Sequence, residues 1–163
     1  MNAAHLHIAL VHIPIVLVPT ATVLLLLALW RRQAVISNVA LAIFVVATAF
    51  CVPAFLLGEE AEELVENRPG VSEDTIEEHE EAADVSFWLT VVAGSGALLA
   101  FGLGRSAPKL RPLALKALAV VGTLASATLS YTAFEGGKIR HPEAYENIAS
   151  GDGGHNSRED HDD

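Results

Sequence analysis

A single cysteine, Cys51, rules out intramolecular disulfides in this chain of 163 residues, and its setting inside an apolar run gives it the role of a small packing side chain. Motifs of hydrolytic chemistry are absent as well. There is no nucleophile elbow, no phosphate-binding loop and no His-Glu-x-x-His pair. Charge is missing from long stretches. The blocks Ile8 to Trp30, Val35 to Leu57, Val85 to Leu103 and Leu113 to Phe134 contain none apart from Lys116, in the first turn of the last block. Without a charged group at mid-depth there is nothing to mark an ion path, which weighs against transport. Segments of alternating polarity, the mark of strands, are absent too.

What remains is apolar. Hydrophobic residues make up 52% of the sequence, and each block is close to the roughly 20 residues that cross the hydrocarbon of a bilayer. A backbone in lipid must satisfy its own amides, so the blocks are expected to be helices. The fold expected is all-α, an antiparallel bundle of four transmembrane helices over about 8–30, 35–57, 85–103 and 113–134. One membrane domain, 1–148, precedes a disordered acidic tail, 149–163, that includes His155 and His161. The first block is read as a retained helix, since no basic residue precedes it and Arg31 and Arg32 follow it.

The acidic residues keep to the stretch from Glu59 to Asp84 and to the chain beyond Phe134, whereas the short connections carry Arg31, Arg32, Arg105, Lys109 and Arg111. The positive-inside rule then makes the short connections cytoplasmic. Both termini and the long connection face the other way, into the periplasm if the membrane is a bacterial inner membrane. In the long connection FLLGEEAEELVE prolongs the second helix, Asn67 to Gly70 make a turn and Ser72 caps the third, forming a protruding acidic helical hairpin. Such a hairpin is either a solvated surface or a docking site for a basic partner such as a periplasmic cytochrome c. Nothing in this charge pattern suits nucleic acid.

Histidines gather on the same side. His5, His7 and His12 open the first helix, His79 precedes the apolar part of the third and His141 follows the fourth. Antiparallel packing brings these segments to one face. Imidazole is a common ligand for metal ions and haem iron, and a bundle can hold haem between helices. His7 and His12 project about 140° apart at about 100° per residue, so each is expected to pair with a ligand from another helix, giving one or two b-type haems. His7, His12, His79 and His141 are the candidate iron ligands, with His5 a weaker one because it lies near the helix end. Gly136 and Gly137 are expected to end the last helix in a left-handed cap, returning Arg140 and His141 to the bundle, where Arg140 would pair with a haem propionate or with neighbouring carboxylates. Pro14, Pro19 and Pro53 are expected to kink the first two helices. Two other arrangements stay open: a non-haem metal site that adds Glu59, Glu60, Glu135 or Glu143, and an interfacial hydrogen-bonded cluster with Tyr131 and no cofactor.

The stretch HIALVHIPI, residues 7 to 15, resembles the first helix of a family of bacterial four-helix integral membrane domains that typically begins His-Pro-x-x-Val-His-Phe-Pro-Ile-Ala-Leu. His7, Val11, His12 and Pro14 match; Ile8 and Ile13 stand where that family has proline and phenylalanine. Gly58, His79 and GGKIRHPE at 136–143 also sit where the resemblance expects them. The resemblance implies the four-helix topology and an association with respiratory or other cytochrome-containing systems. The one-sided histidines and the acidic hairpin make the function expected that of a b-type haem-binding electron-transfer subunit of a respiratory or photosynthetic membrane complex, with haem near the periplasmic face, rather than a stand-alone enzyme. A non-haem metal protein and a structural or assembly subunit are the alternatives.

Overall fold

The computed structural model describes residues 2–66 and 71–141, and among these every regular element is a helix. The helices are α1 (Ala3–Arg31), α2 (Ala34–Leu56), the short α3 (Gly58–Glu62), α4 (Glu73–Ser106) and α5 (Arg111–Arg140). Four of them, α1, α2, α4 and α5, are long and apolar enough to cross a membrane, and the chain is a multi-pass membrane protein.

Each long helix packs on two others: α1 on α2 and α5, and α4 on α2 and α5. The interior is built mainly of small side chains, Ala21, Ala40, Ala47, Ala93, Ala97 and Ala125 among them, around Val18, Leu25, Leu41 and Phe44. The large apolar side chains point outward instead, with Trp30 at 75% exposure and Leu56 at 70%. That inversion is what lipid selects. Burying leucine gains little when the solvent is itself hydrocarbon, so helices associate through close backbone approach and polar contacts. Gly122 shows the first: a Cβ there would lie 2.8 Å from Phe44 Cζ. Gly94 is tighter still, 2.7 Å from Thr48 Cβ.

A polar contact accompanies each packed pair. Thr48 Oγ1 donates to Thr90 O at 2.9 Å between α2 and α4. Ser86 and Thr132 hydroxyls meet at 2.8 Å between α4 and α5, and those of Thr22 and Ser126 at 3.3 Å between α1 and α5. His7 joins α1 to α2.

The helix ends depart from the sequence reading in instructive ways. Ser72 does cap α4, accepting from Thr75 N at 3.2 Å, so this helix runs twelve residues, Glu73 to Asp84, before its apolar part begins at Val85. The second helix is not prolonged through the acidic stretch: it stops at Leu56, three residues beyond Pro53, and α3 restarts at Gly58. Gly136 and Gly137 do not end α5. The helix continues to Arg140, where a Glu135–Lys138 pair at 2.6 Å and the His79 ring against Gly136 support its last turns. α1 passes through Pro14 and Pro19 as one helix. The Asn67 to Gly70 turn and the tail lie outside the described residues.

Tryptophans mark both ends. Trp30 ends α1 with the Arg31 guanidinium 4.6 Å above its ring, and Trp88 sits beside Phe87, which stacks at 4.1 Å on Phe55 near the end of α2.

Candidate functional site

The end of the molecule that carries the histidines is assembled from the start of α1, the end of α2, the start of α4 and the last turns of α5. α2 ends at Leu56, which leaves its last carbonyls without partners inside the helix. One of them, Ala54 O, is taken by His7 Nδ1 at 2.8 Å. Across the same end, His79 Nδ1 lies 3.1 Å from Thr132 O on α5. A carbonyl only accepts, so each Nδ1 carries a proton, and in its neutral form each ring has its lone pair on Nε2. Fixing the tautomer in this way is how metal-binding histidines are commonly oriented.

The two rings are electrically aware of each other. Burial lowers the His79 pKa below its ordinary value; the bond to Thr132 O opposes that, the charge of nearby His7 lowers it further, and Glu135 raises it. His79 lies six residues ahead of the apolar block, so these effects act at the water-facing edge. A glycine stands beside each ring. A Cβ at Gly58 would be 3.9 Å from His7 Cε1, and one at Gly136 only 3.0 Å from His79 Cε1.

Glu135 is 1% exposed, and Lys138 Nζ lies 2.6 Å from its carboxylate and 3.6 Å from that of Glu78. Lys138 thus bridges α5 to α4, a residue that no motif singled out. Its three-residue spacing from Glu135 on one helix was the available signal. On the other flank, Glu80 is pushed up to about 7, first by a hydrogen bond with Glu62 and then by burial and by the charges of Glu62, Asp84 and Glu59. Glu62 of α3 thereby meets Glu80 in the first turns of α4.

The remaining candidates make contacts local to their own helices. His12 is exposed and its Nδ1 turns back onto Ile8 O of its own helix at 2.5 Å. His5 is spent at the helix start, its Nδ1 2.6 Å from Asn2 Oδ1, which also caps α1. Arg140 is the exposed last residue of α5, and His141 caps that helix with its N–H on Gly137 O at 2.9 Å. Glu143 lies outside the described residues. Among the described residues no three His, Cys, Asp or Glu side chains gather to hold a metal ion. Compared with family models, with curated proteins and with solved structures, the chain matches none.

Proposed function

We propose that the chain is an electron-transfer subunit of a bacterial membrane complex, in which His7 and His79 would hold the iron of haem b near the face that bears both termini. The observation that carries this reading is the common setting of the two rings. They come from different helices, α1 and α4, each with Nδ1 held by a carbonyl and Nε2 left as the basic nitrogen. A bare ion asks the protein for three or four ligands. Haem iron has four from the porphyrin and asks for two, and two histidines on different helices of a bundle are what this end supplies. Haem would provide a one-electron couple, and the chain would provide the ligands and, through Lys138 or Arg140, a cation for the propionates.

The same reading takes the four long helices as an antiparallel bundle with an acidic hairpin protruding between α2 and α4. Supporting it, His7 near the start of α1 meets Ala54 near the end of α2, and Arg111 at the start of α5 meets Asn38 at the start of α2. The carboxylates of Glu59 to Asp84 would then face the periplasm, where they suit a basic cytochrome c. Likeness to the His-Pro-x-x-Val-His-Phe-Pro family of bacterial membrane domains is consistent with an inner-membrane location.

The test is a reduced-minus-oxidised absorbance spectrum with haemochrome quantification on protein purified from haem-replete cells. A b-type spectrum is expected, lost in His7→Ala and in His79→Ala and kept in His12→Ala. A featureless spectrum of the unmodified chain overturns the reading. It would favour a second one, suggested by the same two bonds: His7 fastens α1 to α2 and His79 fastens α4 to α5, in a packing subunit without a cofactor. In that case both alanine variants lower thermal stability and nothing else.

A further inference from the structure

We infer that a cleft at the opposite, basic end of the molecule binds the phosphate group of an anionic phospholipid. The cleft, of about 340 Å³, lies between the first turn of α2, the last turns of α4 and the start of α5, lined by Asn38, Phe101, Gly104, Arg105 and Arg111. Arg111 is its centre. Its side chain lies along α4 at Gly104, where a Cβ would come within 3.3 Å of Cδ and 3.4 Å of Nε. Nη2 donates to Asn38 Oδ1, and more weakly to Ser37 Oγ at 3.5 Å. Nε is buried with no partner among the described residues. A buried donor without an acceptor costs about 1–3 kcal/mol, more when it belongs to a charged group.

Charge makes the same demand. Arg105 and Arg111 share the cleft, yet every Asp and Glu of the chain lies between 59 and 84 or beyond 134. The ion pairs of Lys138 with Glu78 and Glu135 lie at the other end. The start of α5 adds to the deficit, because no side chain caps it and the positive end of the helix dipole is left facing outward. Two guanidinium groups, an amide side chain and a helix N-terminus converge on one volume with no anion of their own. Arginine forks match phosphate oxygens.

The source of the phosphate follows from depth. Trp30, largely exposed with Arg31 over its ring, puts this end of the helices at headgroup level, where tryptophans collect. Phe101 gives the cleft an apolar wall for the glycerol and upper acyl chain. Inorganic phosphate satisfies the guanidinium groups but makes no use of that wall or of that depth.

The full chain in neutral detergent is titrated with phosphatidylglycerol, phosphatidylcholine or inorganic phosphate at constant ionic strength, following Tm and lipid adducts by native mass spectrometry. Phosphatidylglycerol is expected to raise Tm by several degrees and to give a retained one-lipid adduct. Phosphatidylcholine and inorganic phosphate should produce less than half that shift. Two variants locate the effect: R105Q/R111Q removes the cations, and Asn38→Asp supplies Arg111 with an internal carboxylate. Both are expected to abolish the phosphatidylglycerol shift, and Asn38→Asp keeps the test alive if the double variant does not fold. An undiminished shift in Asn38→Asp, an equal shift with phosphatidylcholine, or full reproduction by inorganic phosphate overturns the inference.

Discussion

The chemistry of His79 is decided by its neighbours Thr132 and Gly136. The Thr132 carbonyl determines which ring nitrogen is basic, and Gly136 leaves the ring just enough room to reach it. Gly136→Val is therefore expected to push the imidazole off Thr132 O and, if the chain holds haem as proposed, to reduce haemochrome yield per chain as far as His79→Ala does. Gly102→Val serves as the control, since a Cβ at Gly102 would meet nothing within 4 Å. Some of this was readable in the sequence. The spacing of His7 and His12 already separates them by about 140°, and they do point to different surroundings: His7 is half-buried against α2 and His12 is exposed. Which of the two faces inward depends on how α1 is rotated against α2 and α5, and a sequence carries no such phase.

At the scale of elements, the four apolar blocks were legible because lipid imposes a length and a composition. Their ends were legible only where a side chain acts locally. Ser72 is such a case, and Ser72→Ala is expected to cost about 1 kcal/mol of helix stability, seen as faster amide exchange over Glu73 to Glu77. The continuation of α5 through Gly136 and Gly137 was not legible. Glycine permits a turn without compelling one, and the contacts that favour the helix there, His79 on Gly136 and Lys138 between Glu135 and Glu78, come partly from α4. Between helices, Gly94 has the least slack. Gly94→Val drives a side chain into Thr48 and is expected to lower Tm by many degrees in detergent, or to prevent folding. Gly96→Ala, whose nearest neighbour is Leu118 Cδ1 at 3.5 Å, is expected to be nearly neutral.

For the whole molecule, charge and apolarity divide the labour. The outward leucines, valines and tryptophans meet lipid, and the alanine-rich interior lets helices approach. The short connections carry basic residues and no carboxylate, and every acidic residue lies in the long connection or beyond Phe134, a division visible in the sequence. The cleft around Arg111 was not visible there, because Asn38 is more than sixty residues from Gly104 and Arg111 and meets them only when α2, α4 and α5 pack.

The placement of the two tryptophans has an optical consequence. Trp30 follows the apolar part of α1, whereas Trp88 neighbours Phe87, which stacks on Phe55 near the end of α2. α2, of 23 residues, separates those two levels by about 30 Å, and the chain contains no other indole. Emission from Trp30→Phe and Trp88→Phe proteins therefore reports the two leaflets one at a time. In liposomes with a brominated lipid confined to one leaflet, each variant is quenched from one side only, so the orientation of the chain can be read without tag or label.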